Sequence, residues 1–314
     1  MLQLQNEEWP HTQLTTSTHD TKRAEDVRAR LNVLSEIPEL WSQTVSRWMR
    51  NNSAYRENNF PDRNAEYLLY QTLVGAWPIS EERLQSYMEK AVHEAKQHTD
   101  WTRRNKTYEE ALEKYISRVC HDKRFTSELD QFIAEISDAA MVNSLSQTLI
   151  KLTAPGVPDI YQGCEHWDFS LVDPDNRRPV DFALRRSLME KLDDISAAEV
   201  WKRRAEGLPK LWMIRKVLKA RARLGEFGKF SYQPVFAKGK KTRQLIAFSR
   251  DEKLITAVPR FFKKLNGEWQ DTALDLPAGW WRDEFTGEIY DGAVRLEKLF
   301  RSFPAALLIR KEEN

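Results

Sequence analysis

Two stretches of the chain end in residues equipped for chemistry. Leu14 to Thr18 is a β-branched run that ends in His19-Asp20-Thr21-Lys22-Arg23, and Pro155 to Gly163 is a short apolar run followed by Glu165. Each reads as a strand that delivers polar, hydrogen-bonding groups at its C-terminal end. In a parallel α/β barrel that end is where sites are built, because the loops after the strands converge on one rim. Taken alone, the His19-Asp20 pair reads as a strand-end hydrogen bond with no ligand. Lys22 and Arg23 are either fixed cationic donors on the same rim or ion-pair partners of Glu25 or Asp26, and the residues leave both readings open. The loop from Asp173 to Asp181, dense in Asp, Asn and Arg, is likewise either charge-paired structure or a binding loop. Other chemistries find no footing: there is no G-x-G-x-x-G, no P-loop and no G-x-S-x-G. His93 and His98 are five apart and miss the four-residue helical spacing of paired zinc ligands. Neither a metal nor an organic cofactor is expected.

The elements that must position these residues fall into two grammars. Residues 1–150 contain a single glycine, Gly75, and the other 10 of the 11 lie beyond. The first half therefore reads as helical. Val27, Leu31 and Leu34 share one face, and Leu84, Tyr87, Met88, Ala91 and Ala95 form a helical stripe. Ser80 before two glutamates reads as an N-cap, and Thr107 with Glu110 has the spacing of a capping box. From Gly225 onward short β-rich runs take over, at Leu245 to Phe248, Leu254 to Val258 and Ala305 to Ile309, with turn signals at Asn266-Gly267 and Thr286-Gly287. The expected division is residues 1–224, with a helical insertion over about 24–150, and an antiparallel β-domain over 225–314. The cluster Lys238 to Arg243 reads as a solvated hairpin loop.

Composition narrows the classes further. A chain of 314 residues with 41% hydrophobic and 31% charged residues buries a normal core and solvates its surface. With 49 basic and 47 acidic residues the net charge is +2, which supplies no broad basic field for nucleic acid. No apolar stretch is long enough to span a membrane, and Glu7 and Glu8 stand where a secretory signal needs a basic start. A cytoplasmic protein without membrane or nucleic-acid partners is expected, and Cys120 and Cys164 read as two reduced thiols.

The string Thr18-His19-Asp20-Thr21-Lys22-Arg23, then Glu25 to Arg30, resembles the segment around barrel strand seven of maltooligosyltrehalose synthases, members of the α-amylase superfamily. In the family's order follow Glu66 to Leu73, Glu94-Ala95-Lys96 to Thr99-Asp100-Trp101, Pro155 to Glu165, and Asp173 to Asp181. Trp281-Arg282-Asp283 and Phe303-Pro304-Ala305 resemble its C-terminal β-sandwich. The resemblance implies the C-terminal part of a (β/α)8 barrel, about two strands, with a large helical insertion and a following antiparallel β-sandwich. Family members are considerably longer, and their first half supplies strands one to six with the nucleophile and the acid/base. The chain is therefore expected to be a fragment, a truncated reading frame or one half of a split gene. A separate N-terminal half would be its partner.

The implied reaction converts the reducing-end α-1,4 linkage of a maltooligosaccharide into an α,α-1,1 linkage by intramolecular glucosyl transfer. Asp20 matches the superfamily's third carboxylate, a transition-state stabiliser, and His19 matches a donor to a hydroxyl of the same sugar. Lys22 and Arg23 would then hold the released glucose; Arg28 and Arg30 read as structural. The chain has 11 tryptophans, whose faces stack on pyranose rings as well as fill cores. Of Trp41, Trp48, Trp77, Trp101 and Trp167, the expected sugar contacts are Trp101 and Trp167, which lie in polar, loop-like surroundings. The competing reading is a non-catalytic glucan-binding or scaffold remnant.

Overall fold

The structure, a computed structural model, describes residues 2–225 and 227–311. Its helices longer than one turn are α1 (Leu2–Glu8), α2 (Glu25–Asn32), α3 (Pro38–Asn51), α4 (Arg63–Ala76), α5 (Glu81–Ala95), α6 (Lys106–His121), α7 (Lys123–Thr153), α8 (Phe182–Glu190), α9 (Ala197–Lys202) and α10 (Leu208–Leu224). A short parallel pair consists of β1 (Gln13–Leu14) and β2 (Val157–Pro158). Nine strands follow: β3 (Tyr232–Pro234), β4 (Ala237–Lys238), β5 (Leu245–Arg250), β6 (Leu254–Pro259), β7 (Ala273–Asp275), β8 (Trp281–Asp283), β9 (Ile289–Tyr290), β10 (Ala293–Arg295) and β11 (Ala306–Arg310). Two compact units result: residues 19–140 with 169–178, and residues 1–18 with 141–168 and 179–314. No helix among the described residues is long and apolar enough to cross a membrane.

The helical unit is built from capped, amphipathic segments. Asp62 caps α4 by accepting from the amides of Asn64 and Ala65, Ser80 caps α5, and Asn105 caps α6. The last replaces the expected Thr107–Glu110 box, because Lys106 is already helical and Thr107 lies inside the first turn. On α5 the buried stripe is Leu84, Met88 and Val92, while Ala95 is exposed, since the helix stops there with Lys96 in the left-handed conformation. Trp41, Trp48, Tyr70, Phe125 and Phe132 form an aromatic core, with Trp48 edge-on to Phe125 at 5.2 Å. Beneath it Glu66, fully buried, accepts from Tyr70 at 3.0 Å and Tyr115 at 2.7 Å and pairs with Arg63.

In the other unit, six strands run in the order β3-β5-β6-β11-β8-β9 and three in the order β10-β7-β4, all neighbours antiparallel. The run Leu254 to Val258 is continuously apolar except for Thr256 because β6 is buried on both faces. Leu254 and Val258 join a core with Leu149, Trp212 and Phe303 from α7, α10 and the chain before β11. Ile255 and Ala257 point the other way, into a second core with Leu274 and Val294 of the smaller sheet. Alternation of side chains along a strand makes one strand serve both cores.

The parallel pair is shorter than the sequence predicts. Leu14 to Thr18 and Pro155 to Gly163 were expected as strands, yet only Gln13 and Leu14 pair with Val157 and Pro158. Val157 N donates to Thr12 O at 2.9 Å and Asp159 N to Leu14 O at 2.7 Å. Beyond Leu14 the Thr15 hydroxyl donates to Ser17 O at 2.7 Å, turning the chain instead.

Candidate active site

His19 and Asp20 open the helical unit. Nε2 of His19 lies 3.2 Å from Oδ2 of Asp20, with the side chains 61% and 81% exposed. A surface pair of this kind stabilises the fold by about 0–1 kcal/mol. Exchanging it for a ligand hydroxyl therefore costs little. The backbone beneath is held more firmly: His19 O accepts from Asn176 Nδ2 at 2.8 Å, Ala24 N donates to Ser170 O at 2.9 Å, and Arg23 bridges Leu171 in antiparallel fashion.

Lys22 does form an ion pair, but with Glu94 of α5 at 3.0 Å and not with Glu25 or Asp26. Both of those acids are buried in the first turn of α2, where the helix dipole favours negative charge. Arg23 donates to Thr72 Oγ1 of α4 at 3.4 Å, and Arg28 Nε donates to Arg23 O. Arg30 is structural as expected: buried, it donates to the carbonyl of Trp77 at 2.6 Å and lies over Phe169. Burial lowers its pKa to about 10, against the opposing pull of Asp26.

Trp101 is 57% exposed, and its ring centre lies 4.4 Å from that of buried His93, the neighbour of Glu94. The Lys22 contact and the Trp101 contact thus meet α5 at consecutive residues. Around Trp101 the chain is rigidly pinned. Asp100 accepts from the amides of Thr102 and Arg103 at 2.8 and 2.7 Å and from the Thr102 hydroxyl, which hold its carboxyl well below the usual range. Glu109 is held down to about 2 by Arg104, with help from Thr99 and His93. Trp41 and Trp48 are core, and Trp77 donates to Asp130. Trp167 belongs to the other unit, half-buried, with its indole N–H on Arg204 O at 2.7 Å.

In the Asp173–Asp181 loop Asp173 and Asp175 are charge-paired, while Asp181 caps α8 by accepting from Leu184 N at 2.8 Å. Asp175 takes a two-pronged contact from Arg83 at 2.7 and 2.8 Å, plus Arg178, and Asp173 pairs with Arg177. A cleft of about 460 Å³ opens here, lined by Arg83, Tyr87, Lys90, Asp175 and Arg178 among others. A larger cleft of about 860 Å³ lies between α5 and α6, with Glu81, Glu89, Glu109 and Glu113 in its lining, and contains none of His19, Asp20, Lys22, Arg23, Trp101 and Trp167. Among the described residues no group of three or more His, Cys, Asp or Glu is arranged to hold a metal ion.

In the other unit, residues that follow β1 and β2 are also tied down. Lys151 donates to Thr16 at 2.7 Å, Thr15 donates to Asp159 at 3.3 Å, and Glu165 pairs with Arg185, which also donates to Gly163 O.

No family model matches the chain. A curated protein of Mycobacterium tuberculosis described as "Putative maltooligosyl trehalose synthase" is 38% identical over 311 residues, covering 96% of this chain and 38% of the relative. The solved maltooligosyltrehalose synthase from Arthrobacter ramosus matches at a TM-score of 0.88 and 36% identity, over 99% of this chain and 40% of that one. By sequence and by fold, the chain is a relative of the maltooligosyltrehalose synthases. A solved structure described as a hypothetical maltooligosyl trehalose synthase from Sulfolobus tokodaii gives 0.77 and 34%, over 94% and 38% of the two chains. The chain spans about two fifths of the length of the relatives it matches.

Within this synthase-like chain, two contributors escaped the sequence. Glu94, the partner of Lys22, is separated from it by 72 positions, and Asn176 from His19 by 157. No spacing rule reaches that far. The available signals were the density of Asp, Asn and Arg in the loop and the place of Glu94 in a segment that resembles the synthases.

Proposed function

We propose that this chain forms part of a maltooligosyltrehalose synthase, an enzyme of intramolecular glucosyl transfer. The α-1,4 linkage at the reducing end of a maltooligosaccharide is converted to α,α-1,1. The observation that carries the reading is likeness to these synthases over essentially the whole chain, in sequence and in backbone. In this reading β1 and β2 are the last two strands of a barrel of which the rest lies elsewhere in the protein, and the two antiparallel sheets are its C-terminal β-sandwich. The nucleophile and the acid/base belong to that remaining part, and the assembled protein is cytoplasmic.

Transfer with retention requires a carboxylate nucleophile and a carboxylic acid about 5–5.5 Å apart, with a glycosyl-enzyme between two oxocarbenium-like transition states. Asp20 acts on those transition states. Its carboxylate accepts from hydroxyls of the sugar being transferred, and its charge opposes the positive charge growing at the anomeric carbon. His19, already 3.2 Å from Asp20, donates to the same sugar. Lys22 and Arg23 bind the released glucose, so that its anomeric hydroxyl and not water attacks the intermediate; Trp101 and Trp167 stack on the glucan. Lys22 is pre-oriented for this by Glu94.

The test follows reducing ends during incubation with maltopentaose. The complete protein is expected to remove them in an enzyme-dependent manner, and the 314-residue chain alone is expected not to. Loss of reducing ends with the isolated chain would place the catalytic carboxylates within it. Glucan binding with no conversion by the complete protein would favour a non-catalytic scaffold.

A further inference from the structure

The segment 169–178 runs alongside 19–24 and grips it at both ends. At one end Ala24 N donates to Ser170 O at 2.9 Å and Arg23 bridges Leu171. At the other, Asn176 Nδ2 donates to His19 O at 2.8 Å. Asp20 lies between the two grips.

The carbonyl that Asn176 holds is part of the peptide unit joining His19 to Asp20. That unit is planar, so fixing its oxygen fixes the plane from which Asp20 departs. Asn176 in turn sits on a turn, Asp175–Arg177, that is itself immobilised. Asp175 accepts from Arg83 at 2.7 and 2.8 Å and from Leu171 N at 2.7 Å, and Lys90 donates to Asp173 O at 2.6 Å. Arg83 and Lys90 both belong to α5, which also supplies Glu94 to Lys22. One helix thus braces the His19–Arg23 segment from two directions.

We propose that Asn176 is a positioning residue for Asp20, transmitting the rigidity of α5 through the Asp175 turn to the His19–Asp20 peptide. This rests on the reading of Asp20 given above. Without the Asn176 donor the peptide plane loses this restraint, and the carboxylate at the end of a short side chain is displaced with it. Misplacement of a catalytic group by about 1 Å costs on the order of 100-fold in rate. Substrate contacts made elsewhere are left as they were.

Two variants separate the donor from the shape: Asn176→Ala removes it, and Asn176→Asp keeps the outline while facing a carbonyl with an acceptor. In the complete enzyme acting on maltopentaose, both are expected to lower kcat by roughly 10- to 100-fold with KM within about threefold of the parent. The melting temperature should stay within a few degrees, since a single hydrogen bond at a partly exposed turn is lost. In the 314-residue chain, hydrogen exchange at the amides of residues 18–24 is expected to speed up about tenfold in both variants, with the β5–β6 amides unchanged. A kcat within twofold of the parent, or unaltered exchange at 18–24, overturns the proposal. If the complete parent enzyme does not convert maltopentaose, the functional reading fails, and the exchange measurement alone decides whether Asn176 fixes the His19–Asp20 peptide.

Discussion

Arg250 Nη1 donates to the carbonyl oxygen of Thr153 at 3.0 Å, across 97 residues of chain. Thr153 ends α7, where helix carbonyls have lost their intrahelical partners. The same buried guanidinium donates to Phe227 O at 3.0 Å, Phe230 O at 2.9 Å and Ser231 O at 3.1 Å. These four acceptors are neutral carbonyls, and a planar group with five donors is suited to collecting them. Burial, and to a smaller degree Arg221, lowers its pKa to about 10, so it stays charged at neutral pH. Through Arg250, strand β5 is tied to the end of a helix and to the chain entering the sheet.

Replacing Arg250 with Met should therefore destabilise the sheet unit by about 3 kcal/mol or more, because several buried carbonyls lose their donor together. Arg250→Lys should fall between, satisfying fewer acceptors. Urea unfolding followed by tryptophan fluorescence measures the effect. A Met variant within about 1 kcal/mol of the parent would mean that water replaces the guanidinium.

Asp283 of β8 gives a pH dependence of unusual sign. Burial raises its pKa to about 6, although the amides of Phe285 and Leu307 and the Thr286 hydroxyl pull the other way. Below the ordinary carboxylate pKa both folded and unfolded chains hold the proton. As pH rises from about 4 to about 6 the unfolded chain releases it first, so this residue's contribution to stability falls by on the order of 3 kcal/mol across that window. Groups such as Glu109, held down to about 2, act in the opposite direction only at lower pH. The expected result is that Asp283→Asn gains stability relative to the parent between pH 4 and 6.5 in urea melts. A difference that stays constant over that range would refute the assignment.

Local signals carried most of the secondary structure. Leu254 to Val258 and Ala305 to Ile309 correspond to β6 and β11 within a residue, because a strand buried on both faces must be apolar nearly throughout. Ser80 caps α5 because its hydroxyl needs only the amide three residues on. The failures share a cause. Thr15 to Thr18 have strand composition, but whether they pair depends on a partner segment about 144 positions away. The composition that marks residues 19–23 as polar and 173–181 as a charged loop does not reveal that Asn176 reaches His19, or that Lys22 chooses Glu94 over its near neighbours. Tertiary packing selects among acids that sequence treats as equivalent.

Gly207 is required by both conformation and space. Its φ is +79°, and an added Cβ would lie 2.0 Å from Nε2 of His166, which itself approaches Glu206 O at 2.9 Å. Gly207→Ala should cost about 2–4 kcal/mol, part steric and part backbone strain. Adding His166→Ala should return the steric part and leave about 1 kcal/mol. Unfolding midpoints of the two single variants and the double give the coupling directly. Strict additivity would show that the imidazole simply moves aside.

The remaining prediction concerns Asp20, introduced as Asn into the complete enzyme. The side chain is 81% exposed, and its contact with His19 is a surface pair, so the melting temperature should not move by more than a degree or two. Turnover of maltopentaose should nevertheless be abolished. The amide keeps the size and one acceptor of the carboxylate, so ground-state binding of the sugar hydroxyls survives in part. What is lost is the negative charge facing the oxocarbenium-like centre, an interaction that grows only as the transition state is approached. The loss should therefore appear in kcat and much less in KM. A variant that kept more than about a tenth of the parental kcat would have lost under about 1.4 kcal/mol of transition-state stabilisation. That is too little for a charge placed against the reacting carbon, and Asp20 would then be a residue that binds sugar without acting on the bond.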